Sequence, residues 1–477
     1  MLPEVALVLA LIIVFIEDFC ISRKQVKGYT LYALTVGLLA VTLGVCLSAQ
    51  PTEAFGGMYV ATAAANVMKT ILTAGTLIVV VMAQTWIKSS ALTVKYEGEF
   101  YMLILSTLLG MFIMMSSGHF LLFFLGLETA SVPMACLAAF DKWKQKSAEA
   151  AAKYVLMATF SSGVMLFGIS FIYAAAGTLY YADIAEKFNA LYTASPLILM
   201  GLAFFFSGLG FKLSLVPFHF WTADTYEGAP TPVTGYLSVI SKGAAAFTLL
   251  IILFRVFEPM QEYYQAMLYV VIILSITVAN LFAIRQSELK RFMAFSSISQ
   301  AGYIMLAVIG NDFQMSTTAL IYYVLVYVVA NMAVFTVISS VEHNGGDTKM
   351  STYDGFYQTN PKLAFLMTLA LFSLAGIPPF AGMFSKFFVF MAGVTGHEPT
   401  SFWAYFVVFI ALVNTVVSLY YYLLIVKAMY IKKTDTPLPT FRTDFATRAS
   451  LVLCTAGILL FGVCSFIYDW IYASAAL

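Results

Sequence analysis

The chain has 477 residues, 61% of them hydrophobic and only 10% charged, where an ordinary soluble domain carries roughly 25% Asp, Glu, Lys and Arg. That balance excludes a soluble fold and makes lipid the main solvent. The net charge of +1 carries no nucleic-acid signal, and five scattered cysteines (Cys20, Cys46, Cys136, Cys454, Cys464) without a C-x-x-C pair offer no iron-sulfur, zinc or haem ligation, so no cofactor or metal is expected in this chain.

The sequence opens directly on an apolar run without a basic leader region or an A-x-A cleavage signal, which reads as a retained first helix. About fourteen apolar blocks of membrane-crossing length follow one another with no soluble domain between them. They centre on Ile12, Leu38, Ile78, Leu109, Ala130, Val164, Gly208, Ala246, Ile272, Met305, Val328, Ala375, Asn414 and Leu459. The expected fold is an all-α integral membrane protein. Alternating the loops gathers the basic clusters Arg23 to Lys27, Lys142 to Lys146, Arg285 to Arg291 and Lys427 to Lys433 on one side, with Lys187 and Arg255 on the other. Basic loops favour the cytoplasm, so both termini are expected outside.

Lys69, Lys153, Lys212, Lys242 and Lys386 fall inside the apolar blocks, and among the acids only Glu128 reads as deep. An intramembrane charge costs about 2.5–3.5 kcal/mol on insertion scales and normally faces a protein interior or a wet cavity. Lys69 lies close to the end of its block after a glycine-rich loop, and Lys153 follows the basic Lys142 to Lys146 loop; both are placed where a lysine can snorkel. Lys212 precedes Pro217, which cannot donate its amide and frees the carbonyl of Leu213, so a broken helix is expected there. Lys386 follows the tandem Pro378-Pro379, a second break. Two broken helices, each with a lysine, suggest an internal duplication of five-helix units. Lys242 sits in the small-residue run Ser238-Val-Ile-Ser-Lys242-Gly-Ala-Ala-Ala, and Ser241, Ser296, Ser297, Ser299 and Gln300 extend a polar track that can carry water. Of the four histidines only His219 is placed near the interior, where it fits either a proton relay or a packing role.

Taken together, Phe211-Lys-Leu-Ser-Leu-Val-Pro-Phe-His-Phe-Trp221, Asp224-Thr-Tyr-Glu-Gly-Ala-Pro-Thr-Pro-Val233, Ser241-Lys242, Gly126-Leu-Glu128 and Leu289-Lys-Arg-Phe-Met-Ala-Phe-Ser-Ser-Ile298 resemble the antiporter-like membrane subunits of respiratory complex I, the proton-pumping NADH:quinone oxidoreductase. The Tyr226-Glu-Gly-Ala-Pro-Thr-Pro stretch and Lys386 are most like the N branch (subunit 2 in mitochondria). Gln300 departs from the histidine common in relatives, which leaves more to bound water.

The resemblance implies fourteen helices with two inverted five-helix repeats, over residues 100–257 (helices 4 to 8) and 258–431 (helices 9 to 13), preceded by three helices in 1–99 and followed by a loop and last helix in 432–477. It implies that Glu128, Lys153, Lys212, Lys242 and Lys386 transfer protons along a buried axis, with His219, Gln300 and Ser241 as possible relays. FMN, iron-sulfur clusters and quinone would belong to the parent complex. The partners implied are a neighbouring antiporter-like subunit M and small membrane subunits, in a bacterial inner membrane. A multi-subunit cation/proton antiporter, which shares the motifs around Lys212 and Lys242, or a related ferredoxin- or hydrogenase-linked complex is the alternative. On the complex I reading Glu128 and Lys212 are expected to form a switchable ion pair, worth about 3.3 kcal/mol at 5 Å and about 1.7 at 10 Å in an effective dielectric near 20.

Overall fold

The computed structural model describes residues 1–24, 30–89, 91–190, 196–397, 401–434 and 437–476; Lys27 of the first basic cluster lies outside them. The helices are α1 (Leu2–Lys24), α2 (Thr30–Ser48), α3 (Ala63–Ile87), α4 (Glu97–Met115), α5 (Phe120–Ala138), α6 (Gln145–Ala176), α7 (Pro196–Leu213), α8 (Phe220–Gly228), α9 (Thr231–Arg255), α10 (Glu258–Ile284), α11 (Leu289–Leu306), α12 (Phe313–His343), α13 (Pro361–Ala375), α14 (Ala381–Val394), α15 (Phe402–Tyr430), α16 (Phe445–Val463) and α17 (Ser465–Ser474). A ten-residue helix, Tyr181–Ala190, and shorter helices and turns connect them.

Eleven of the described helices are long and apolar enough to cross a membrane: α2 to α7, α9, α10, α12, α15 and α16. The three other expected centres also fall in helices: Ile12 in α1, Met305 in α11, and Ala375 at the last residue of α13. Starts follow from local chemistry. Thr62 and Asp312 cap α3 and α12 by accepting the amides of Ala65 and Met315, which satisfies donors that a helix start leaves open.

A helix that is apolar all round belongs in the centre of a bundle, and α9 and α12 occupy that place, almost every residue of their most apolar stretches being buried. By contrast α2, α6, α15 and α16 bury a third or so of theirs and form the outer layer. One unforeseen element is a hairpin of β1 (Thr52–Ala54) and β2 (Tyr59–Ala61), paired antiparallel, in the glycine-rich loop before α3.

The bundle has two chemically different ends. At one, Lys146, Lys153 and Arg291 pair with Asp224 and Glu227, and Lys432 with Asp354. At the other, Ser474 and Ala475 line a cavity with Arg255 and the hairpin residues Thr52 and Glu53, while Lys69 reaches both Glu4 and Tyr59 of the hairpin. The start of α1 and the end of α17 therefore lie at the end opposite the ion-pair network.

Candidate functional site

The first break matches its proline. α7 stops at Leu213, Ser214 takes a left-handed backbone (φ +62°), the Val216–Pro217 bond is cis, and helix resumes at Phe220. Ser275 of α10 accepts the Val216 amide at 2.9 Å, so the interrupted backbone is satisfied by protein, as lipid-buried polar groups require. Lys212, 5% exposed, donates to Ser131 Oγ at 2.9 Å and Tyr154 Oη at 3.1 Å.

Lys242 follows a turn of π-helix, Leu237–Ser241, that interrupts α9. Such single-turn bulges concentrate at functional sites. Lys242 is 1% exposed, and its ammonium donates to Ser297 Oγ of α11 at 2.6 Å and lies over the Tyr226 ring. Tyr226 and Ser297 also share a hydrogen bond of 3.3 Å.

Beyond Ser297, α11 carries the polar track toward the second break. Ser296 bonds Tyr422 Oη at 2.5 Å, and Gln300 Nε2 donates to Tyr422 Oη and to the Leu374 carbonyl, both at 3.2 Å. Tyr323 closes the group by donating to Gln300 Oε1. α13 ends one residue later, at Ala375, whose carbonyl accepts Lys386 Nζ at 2.9 Å. Lys386 is 4% exposed, lies 4.8 Å from the Tyr303 ring centroid, and borders a cavity of about 10 Å³ with Gln300, Tyr327 and Ser385, room for about one water.

Two glycines make this second break possible. Gly376 has φ +88°, and a side chain there would also press on Lys386 Cδ at 3.0 Å. A Cβ on Gly382 would lie 1.7 Å from the Ser373 carbonyl oxygen, so the two half-helices touch backbone to backbone.

Lys212, Lys242, Lys386 and Gln300 are thus all inside the bundle, each on named polar partners. Other expected members are placed differently. Glu128 is half-buried with Oε1 unpartnered, and no ion pair joins it to Lys212; Ser131, one turn further along α5, takes the lysine instead. The expectation of a Glu128–Lys212 pair is corrected to that extent. Lys153 is 43% exposed and pairs with Glu149 at 2.7 Å and Asp224 at 2.6 Å, so it belongs to the ion-pair network at the bundle end and not to the buried line. Ser241 Oγ and His219 Nδ1 are buried without a hydrogen-bond partner, which leaves their relay roles open chemically. Lys69, expected to snorkel, is 0% exposed and donates to Glu4 Oε1 at 2.6 Å; Glu4 is thus a second buried acid that hydropathy did not reveal. Sequence reasoning also missed the tyrosines, which count as apolar in composition: Tyr154, Tyr226 and Tyr303 supply hydroxyl or ring faces to Lys212, Lys242 and Lys386, and Tyr422 bonds Ser296 and Gln300.

Residues 117–418 match the family model described as NADH:quinone oxidoreductase/Mrp antiporter, TM. The NADH-quinone oxidoreductase subunit N of Phocaeicola vulgatus is 56% identical over 99% of this chain and 98% of its own, and that of Azobacteroides pseudotrichonymphae 49% identical over 98% and 96%. The chain belongs to the family of NADH-quinone oxidoreductase N subunits. Among solved structures of the wider family, a chain of respiratory complex I from Thermus thermophilus with bound aureothin superposes with a TM-score of 0.80 at 30% identity, over 99% of both chains. A chain of the Mrp complex from Dietzia reaches a TM-score of 0.83 over 100% of this chain and 97% of its own, at 19% identity, a likeness of fold alone.

Proposed function

We propose that the chain is the proton-translocating N-type membrane subunit of NADH:quinone oxidoreductase, in a bacterial inner membrane. The observation that carries the reading is the line of three buried lysines, Lys212, Lys242 and Lys386, at two helix breaks and a π-turn, with Ser297, Tyr422 and Gln300 spanning the interval between the last two. Each ammonium rests on neutral oxygen, so no fixed anion at hydrogen-bond distance holds its proton. Buried hydroxyls without a protein partner, Thr222, Thr225, Ser241, Ser299 and Tyr327, accompany the line; such groups are normally satisfied by internal water. A proton passes from Lys212 through Lys242 and the Gln300 group to Lys386, which exchanges it with the outer face. Glu128 acts at a distance, favouring the charged form of Lys212 when its carboxylate is near.

Fourteen spans follow if α1, α11 and the interrupted α13/α14 pair join the eleven long apolar helices, with α8 completing the broken α7. Two inverted repeats over 100–257 and 258–431 fit the two broken helices. The ion-pair end faces the cytoplasm and both termini face outward, in keeping with basic-loop preference. FMN, iron-sulfur clusters and quinone sit in other subunits, and a neighbouring subunit M with small membrane subunits flanks this one.

The first test is co-purification: the tagged chain, extracted in mild detergent, should carry inhibitor-sensitive NADH:quinone reductase activity. Arrival with hydrophobic subunits and no dehydrogenase would favour the cation/proton antiporter instead. In assembled complex, Lys242→Met should lower proton pumping about tenfold or more, in line with the loss of a proton-transfer group; an unchanged proton yield per NADH would reject the reading.

A further inference from the structure

The central line leaves one buried titratable pair unused. Lys69 on α3 is 0% exposed, donates to Glu4 Oε1 of α1 at 2.6 Å and to Tyr59 Oη at 3.4 Å, and lies over the Tyr59 and Phe112 rings at 5.6 Å. Glu4 Oε2, 3.8 Å from the N-terminal ammonium, accepts no hydrogen bond, and Ser116 Oγ is buried without a partner. Both members are enclosed, Lys69 fully and Glu4 with a side chain 10% exposed, while neighbouring Met1 is 39% exposed.

The polar surface continues inward. Lys69, Thr73 and Thr76 succeed one another at helical spacing on a single face of α3, all 0% exposed. Tyr236 accepts a hydrogen bond from Thr107 Oγ1 at 2.8 Å. It is the last residue before the π-turn that leads to Lys242. Thr73 and Thr76 donate to the Lys69 and Leu72 carbonyls at 2.7 Å, which leaves the acceptor side of each hydroxyl on this face.

We infer that Glu4 and Lys69 form a second proton-exchange site, separate from the central lysine line, which opens at the bundle end bearing the N-terminus. In the release step the proton leaves Lys69 Nζ for the Glu4 carboxylate, leaving a neutral amine and a carboxylic acid; the acid then gives its proton to water beside Met1. Reloading of Lys69 comes along the Thr73 and Thr76 face, each hydroxyl accepting a proton on its free lone pair as it releases its own from the carbonyl it now faces. The inference rests on the proton-translocating reading above.

The test uses the whole complex in proteoliposomes, with assembly read by co-purification and the yield as protons per NADH. Lys69→Arg keeps the charge and the ion pair, but guanidinium does not deprotonate in proteins. The double variant Glu4→Gln with Lys69→Met removes both charges together, the change that buried pairs tolerate best. The expected result is intact assembly and a lowered proton yield in both. A full yield in either assembled variant overturns the inference, and so does failure of both to assemble, which would make the pair a structural tie between α1 and α3. If Lys242→Met abolishes pumping while Lys69→Arg is silent, only this inference fails; if both are silent, the proton-translocating reading fails with it.

Discussion

Lys242 depends on one close acceptor, Ser297, and a hydrogen bond to a charged group is worth about 1.5–3 kcal/mol. Ser297→Ala should therefore lower the thermal inactivation midpoint of the extracted complex as well as its proton yield, and Ser297→Thr should restore both. Tyr154→Phe takes one of two hydroxyls from Lys212, so pumping should weaken yet persist; complete loss would give the tyrosine a larger part than positioning. The lysines themselves were legible because one charge among some twenty apolar residues is conspicuous. Their surroundings were not. Ser131, Tyr154 and Ser297 lie 81, 58 and 55 residues away from the lysines they serve, and nothing local marks such a pairing. Lys69 was misjudged for the same reason, since its distance from the block's end could not show that Glu4 waits across the α1 to α3 contact.

Among the elements, the two breaks were announced by prolines, which cannot continue the backbone ladder. Their closeness was not, because only the folded chain shows Gly382 against Ser373. Gly382→Ala should prevent assembly, measured as loss of the subunit from the purified complex. Gly376→Ala meets a smaller obstacle, a left-handed backbone costing about 1–2 kcal/mol for an alanine and contact with a flexible lysine stem. It should assemble with a lowered inactivation midpoint and disturbed pumping, since the displaced group is Lys386. The hairpin Thr52–Ala61 and the π-turn Leu237–Ser241 had no counterpart in the reading of spans. Three-residue strands and a single widened turn leave the hydrophobic pattern almost untouched.

At the scale of the molecule, fold class and span positions were legible because lipid demands long apolar helices, whereas the ion-pair network joining α6, α8 and α11 was not, its members coming from helices far apart in the sequence. Arg291 bridges Asp224 at 2.8 Å and Glu227 at 3.0 Å, all partly exposed. Screening limits such pairs to about 1 kcal/mol or less each, so Arg291→Gln should barely shift the inactivation midpoint at physiological salt; a large shift would show that the network holds the bundle end together. The widened turn ahead of Lys242 has a consequence for the whole of α9. One surplus residue in a helix resets the phase of everything after it by about 100°, and α9 runs from the ion-pair end to Arg255 as one buried rod. Removing a single residue between 237 and 241 would thus turn the Lys242 ammonium out of the α11 track while leaving every other side chain's identity intact, so the angular setting of a helix, and not only its composition, decides whether the lysine is in circuit.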